Sequence, residues 1–170
     1  MLCLFIFNMG IEEMNRIKEF FSTNNLHPTY LEHEPVLTSK DAAKTRGFEL
    51  NQGIKALLFT NGADWVIVDV PADQKVSERK VALQLNWSRE SMRMATLEEV
   101  LNKTGCEIGA VPPFGHKEDI QILFDKNIFN NEESAFNIGL RTNSVKIPTK
   151  EMRSVFEKIK AIEGDFIKLF

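Results

Sequence analysis

Two apolar runs, Ile54 to Thr60 (IKALLFT) and Trp65 to Val70 (WVIVDV), flank the compact turn Asn61-Gly62-Ala63-Asp64, and this pattern predicts a β-hairpin. Both runs are almost continuously apolar, which places them as central strands of a sheet that other elements must cover. Side chains alternate along a strand, so Lys55 shares a face with Leu57 and Phe59. A lysine on an apolar face is unfavourable unless its amine reaches water, a carboxylate or a ligand. Two readings follow: Lys55 lies at the strand's mouth and snorkels to solvent, or it serves a site.

Around the hairpin the chain alternates irregularly between strand and helix signals. From Glu12 to Asn24, Ile17, Phe20 and Phe21 follow Met14 at helical spacing, predicting an amphipathic helix. Thr29 to Glu34 alternates as a half-exposed strand closed by Pro35. Thr38-Ser39-Lys40-Asp41 has the spacing of a capping box opening a short helix to about Arg46, and its hydroxyls either only cap that helix or also face a pocket. Ser77 caps a helix to about Leu85, and Thr96-Leu97-Glu98-Glu99 opens another that ends at Gly105. Ile120 to Phe124 reads as a buried strand, and Phe136-Asn137-Ile138-Gly139 with Ser144 to Pro148 as two strands around a turn. Thr149 is expected to cap a final helix carrying Met152, Val155, Phe156, Ile159 and Ile162 on one side. The expected fold is α+β, a single mixed sheet covered by helices.

The stretch Thr104 to Gly115 (TGCEIGAVPPFG) holds three glycines and two successive prolines, so its backbone is shaped rather than floppy. Such a loop either ends a helix and turns rigidly into the next strand, or presses its backbone against a ligand.

Length and charge narrow the classes. A chain of 170 residues fits one domain, with residues 14–170 as its body and residues 1–13 as an extension, disordered or added as a strand. Met1 to Phe7 is too short to span a bilayer and lacks the basic start of a secretory signal. A net charge of −3 without a basic half argues against a protein that coats DNA or a long polyanion, so a nucleic-acid partner is expected to be touched locally. Arg89 and Arg93 beside Trp87, Met92 and Met94 read as an RNA patch or as solvated arginines of an amphipathic segment. Cys3 and Cys106 have neither disulfide nor CxxC spacing, which favours a reducing compartment. Cys106 is read as a buried inert thiol rather than a nucleophile, since neither His33 nor His116 can be placed beside it from sequence.

Taken in order, several segments resemble the YbaK/ProX family of trans-editing aminoacyl-tRNA deacylases, which are related to the insertion domain of prolyl-tRNA synthetase. They are His33-Glu34-Pro35-Val36 with Thr38-Ser39 and Ala42-Ala43, Lys55-Ala56-Leu57-Leu58-Phe59, Val70-Pro71-Ala72-Asp73, Thr104-Gly105, Gly109 through Gly115, Asp125, and Phe136-Asn137-Ile138-Gly139. The resemblance runs from Leu26 to about Met152. It implies hydrolysis of the ester joining a small, wrong amino acid to tRNA, most directly mischarged tRNA-Pro. It gives the lysine role to Lys55 and the Gly-x-x-x-Pro role to Gly109 through Pro113.

Ester hydrolysis builds negative charge on the carbonyl oxygen, which backbone N–H groups of a glycine loop stabilise while an ammonium orients the ester. The resemblance implies no Ser-His-Asp set, only positioned water and the substrate's own 2′-hydroxyl. Thr38, Ser39, Ala110, Val111, Pro112, Pro113, Asn137 and Gly139 are the expected substrate-binding residues, and size exclusion the expected basis of selectivity. Asn137 stands near a position where some members place a histidine. The implied partners are the acceptor end of an aminoacyl-tRNA and prolyl-tRNA synthetase, in the cytoplasm, with no membrane and no DNA, and no metal or cofactor. The alternatives are a non-catalytic module binding tRNA ends or a synthetase, and a small-metabolite-binding protein. Arg141, Lys146, Lys117 and Lys103 are candidates for a basic surface beside the pocket.

Overall fold

The computed structural model describes residues 1–35 and 38–169. In chain order it runs α1 (Leu2–Thr23), β1 (Thr29–Glu32), α2 (Ser39–Arg46), β2 (Ile54–Thr60), β3 (Trp65–Pro71), α3 (Glu78–Leu85), β4 (Arg93–Met94), α4 (Leu97–Thr104), β5 (Gln121–Asp125), β6 (Glu133–Asn137), β7 (Asn143–Pro148), α5 (Thr149–Lys158) and β8 (Ile162–Gly164). The class is α+β. A five-stranded mixed sheet has the order β4-β2-β3-β5-β8, and β1-β7-β6 form a separate antiparallel sheet, where the sequence suggested one sheet. Among the described residues one isolated bridge, between Gly53 and Ala135, joins the two.

The hairpin forms as its pattern predicts, with Ile54 opposite Pro71 and Thr60 opposite Trp65. Alternation splits it between two cores. Ile54, Leu58 and Ile67 pack with Ile17 and Phe21 of α1, Met152 and Phe156 of α5, and Phe136, Val145 and Ile147 of the small sheet. Phe59, Val66, Val68 and Val70 pack instead with Val81 and Ala82 of α3, Met92 and Phe166. Because β3 is covered on both faces, it needs the apolar run that its sequence shows, broken only at Asp69.

Helix boundaries follow the caps. Thr38 Oγ1 accepts from Asp41 N at 3.1 Å, Ser77 caps α3, and Thr96 with Glu99 completes a reciprocal capping box on α4. Gly105 ends α4 at φ +70.

Two terminal expectations change. The first dozen residues form no strand but the opening turns of α1, which continues unbroken through Gly10 to Thr23. Gly10 sits there because α1 crosses the turn after β6 closely: a Cβ on it would lie 2.4 Å from Leu140 Cδ2. At the other end Ile162 is not helical. The helix stops at Lys158, Lys160 takes φ +57, and Ile162 becomes a strand residue parallel to Leu123. Thr149 is the first residue of α5 rather than its cap, and its hydroxyl pairs with Ser134 at 2.8 Å.

Candidate functional site

β4 pairs with Phe59 and Thr60 and the next residue, Ala95, donates to the Leu58 carbonyl at 2.9 Å, so the edge of β2 from Ile54 to Leu57 has no partner strand among the described residues. That open edge faces β6 of the small sheet, and a cavity of about 390 Å³ fills the gap, closed by α2 and by the loop after α4. The site therefore exists because one strand is short.

Lys55 lines this cavity. Its Nζ donates to the carbonyl of Ala72 at 3.3 Å. Desolvation lowers its pKa from the usual lysine value, Asp73 opposes that shift, and Lys75 adds to it. A cation that is half desolvated and has one neutral partner is well placed to meet an anionic or developing negative charge.

Gly109 also lines the cavity, at φ +78, and a Cβ there would meet nothing within 4 Å. It occupies the third place of a turn closed by the Ala110 N–H donating to the Glu107 carbonyl at 2.9 Å. Such a turn employs only its last N–H, leaving those of Ile108 and Gly109 outside the bond that closes it.

The loop is held from behind. Phe114 is fully buried, its ring 5.8 Å from Phe20, 5.8 Å from Phe136 and 5.6 Å from Phe156. Arg16 of α1 donates to the Gly115 carbonyl and pairs with Glu13, and Glu13 packs against Gly105. Gly139 N–H donates to the Ala110 carbonyl at 2.8 Å, tying the loop to the turn after β6.

Of the residues expected to bind substrate, Thr38, Val111 and Asn137 line the cavity. The Thr38 hydroxyl is committed to Asp41 Oδ2 at 2.6 Å, and Asn137 Nδ2 donates to the Leu140 carbonyl at 3.0 Å. Ala110, Pro112, Pro113 and Gly139 are buried behind the wall and do not line it; their work is to shape the backbone. The side chain of Ser39, like Val36 of the His33 motif, lies outside the described residues.

Sequence reasoning missed much of the apolar wall, including Phe48, Ala135, Met94 and Ile108, which carry no local signal. Arg141, a candidate for the basic surface beside the pocket, stands in the wall itself. Arg89 and Arg93 pair with Glu78 and Glu99 instead.

Potential nucleophiles are silent. Cys106 is sealed, and burial pushes its thiol up to about 12. His116 donates from Nε2 to the Pro112 carbonyl at 2.9 Å, and burial, then Arg16, lowers its pKa to about 4. His33 lies between the Glu34 carbonyl at 2.8 Å and Ser144 Oγ at 2.6 Å. Among the described residues no cluster of three His, Cys, Asp or Glu side chains is placed to hold a metal ion, and no helix is long and apolar enough to cross a membrane.

Fold and cavity thus define a pocket domain of the mixed α+β type, in which a cation and a glycine turn, with no Ser, Cys or His in the described wall, are available for chemistry. The model of the aminoacyl-tRNA editing domain matches residues 33–155, and the chain belongs to that family. It is 33% identical over 124 residues to the multifunctional Ser/Thr-tRNA deacylase ProXp-y of Escherichia coli strain K12, covering 70% of this chain and 73% of that protein. It is 32% identical over 89 residues to the proline--tRNA ligase of Trichlorobacter lovleyi, covering 52% of this chain but 15% of that enzyme. A solved structure described as a candidate trans-editing enzyme for prolyl tRNA synthetase has the same fold, with a TM-score of 0.80 at 23% identity over 92% of this chain and 98% of that one.

Proposed function

We propose that this protein is a trans-editing deacylase that hydrolyses the ester between a small, wrongly attached amino acid and its tRNA. The observation that carries this reading is that Lys55 and Gly109, from distant parts of the chain, face one cavity. Attack of water on the ester carbonyl moves charge onto its oxygen. The N–H groups of the Ile108-Gly109 turn are the donors for that oxygen, and the Lys55 ammonium holds the acceptor end so that the carbonyl stays against them. Water supplies the nucleophile, and the ribose hydroxyl leaves with a proton.

Selectivity arises from the apolar wall of Ala42, Ala56, Leu58, Val111 and Ala135, which admits a small side chain and excludes a bulky one. The first candidate substrate is mischarged tRNA-Pro, with serine and threonine, named in the Escherichia coli relative, the first amino acids to try; prolyl-tRNA synthetase is the candidate partner and the cytoplasm the expected site of action.

The test is deacylation of tRNAs carrying alanine, serine, threonine or cysteine by the wild type and by Lys55→Ala. Hydrolysis of one or two of these esters, lost on the order of 10²-fold in the variant, is expected. If every ester survives while the protein still binds tRNA, the protein is a binding module and the enzyme reading fails.

A further inference from the structure

The cavity holds a second cation that neither the glycine turn nor Lys55 explains. Arg141 follows β6 on the turn that closes the small sheet, and its side chain lines the same cavity as Lys55. No carboxylate stands in the described wall itself; the acids near the two cations, Glu107 beside Arg141 and Asp73 beside Lys55, lie outside the lining. The nearest acid, Glu107, is occupied otherwise. Its Oε2 accepts from the backbone N–H of Arg141 at 2.8 Å, while the guanidinium Nε stays 3.6 Å from that same oxygen. Nε is buried and has no hydrogen-bond partner among the described residues.

The pair is therefore a long one that leaves the guanidinium Nε without a hydrogen bond to the carboxylate, unlike a close structural pair, which satisfies those donors. Here the carboxylate fixes the main chain and thereby aims the side chain. Gly139, two residues earlier, accepts from the Glu107 N–H at 3.0 Å and donates to Ala110, so the base of Arg141 and the Gly109 turn belong to one hydrogen-bonded unit. Whatever Arg141 binds is therefore held in register with the reacting carbonyl.

We propose that Arg141 binds the phosphodiester immediately 5′ of the esterified nucleoside, a binding role that rests on the deacylase reading and completes it. An aminoacyl ester is itself neutral at the carbonyl and carries a cationic amine. The fixed negative charge closest to it in the substrate is the phosphate one nucleoside away. A planar guanidinium with unused donors suits that group better than an ammonium does, because it can offer two parallel N–H bonds to two phosphate oxygens. A net charge of −3 spread over the chain supplies no general attraction for RNA, so affinity must come from such local contacts. Lys55 then meets the ester end and Arg141 the phosphate end of the same nucleotide.

The experiment is equilibrium binding of an uncharged acceptor-stem minihelix ending in CCA, with its last phosphodiester either normal or replaced by a neutral methylphosphonate. Wild type is expected to bind the neutral RNA about tenfold more weakly, the effect of removing a hydrogen bond to a charged group. Arg141→Gln is expected to bind the normal RNA as weakly as wild type binds the neutral one, to be indifferent to the replacement, and to lose about 0.7 from the slope of log affinity against log salt. Arg141→Lys should recover part of the discrimination. Equal binding of both RNAs by the unaltered protein overturns the proposal, and so does an Arg141→Gln protein that still loses tenfold on the replacement. Because binding is read without hydrolysis, failure of the deacylation panel removes the enzyme reading without imitating either result.

Discussion

Lys55 and Asp69 occupy adjacent rungs of one hairpin, Lys55 opposite Val70 and Ala56 opposite Asp69, yet their surroundings have opposite consequences. Lys55 lies on the strand edge that β4 leaves uncovered, half-buried, with the Ala72 carbonyl and the cavity before it. Asp69 lies between β2 and β5 in the middle of the sheet, fully buried, with neither carboxylate oxygen bonded among the described residues. Burial raises its pKa well above the ordinary carboxylate range. The glycines of the loop repeat the contrast. Gly109 takes a positive φ beside open space, whereas Gly105, also at positive φ, is sealed against Glu13, whose Cγ would lie 2.5 Å from a Cβ. An unusual residue is available to a site where tertiary structure leaves it open, and only constrains the fold where tertiary structure closes it.

The largest expected effect separates the hairpin's two ionisable groups. Lys55→Met keeps the length of the side chain without its charge; deacylation should fall on the order of 10²-fold with the melting temperature unchanged or raised, as read by activity and thermal unfolding together. A melting temperature that fell in proportion to the activity would make Lys55 structural and erase the contrast.

Gly105→Ala combines left-handed strain with a clash, so it should destabilise by about 2–4 kcal/mol in denaturant unfolding. Asp69→Asn should leave deacylation intact and stabilise the protein by about 1–3 kcal/mol at pH 8, where the buried group is hardest to accommodate. The sign of its pH dependence follows from the raised pKa. Above the unfolded value of about 4 the folded state holds a proton that the unfolded state has released, so stability falls as pH rises until the folded carboxyl also ionises. The substitution should flatten that fall in a pH series of unfolding curves. Smallest is Gly109→Ala, which meets strain alone: about 1–2 kcal/mol in stability, with a proportionally greater loss in kcat because the turn's donors move. Equal stability losses at Gly105 and Gly109 would show that the packing of Glu13 contributes nothing.

Much of this protein was legible in its sequence because the relevant interactions are short-range. A capping hydroxyl bonds an N–H three residues on, so Thr38, Ser77 and Thr96 mark helix starts wherever they are placed. The hairpin follows from its turn and its apolar runs, and the order of the motifs pointed to the family. Thr149 misled because the same hydroxyl that can cap found Ser134 across the small sheet, fifteen residues back in the chain. The start of α1 misled because seven apolar residues carry no helical periodicity of their own, and a long helix was needed to extend them.

Tertiary structure alone decided which side of the glycine loop faces the cavity. Pro112, Pro113, Ala110 and Gly139 looked as eligible as Gly109 but face the packed core, where Phe114 and α1 anchor them. It also brought Arg141 into the wall and divided the strands into two sheets. These outcomes depend on where a two-residue strand stops covering its neighbour about thirty-five residues earlier and where Gly53 meets Ala135 about eighty residues later. Local sequence fixes which backbone shapes are available; the cavity arises from how distant segments fail to close against one another.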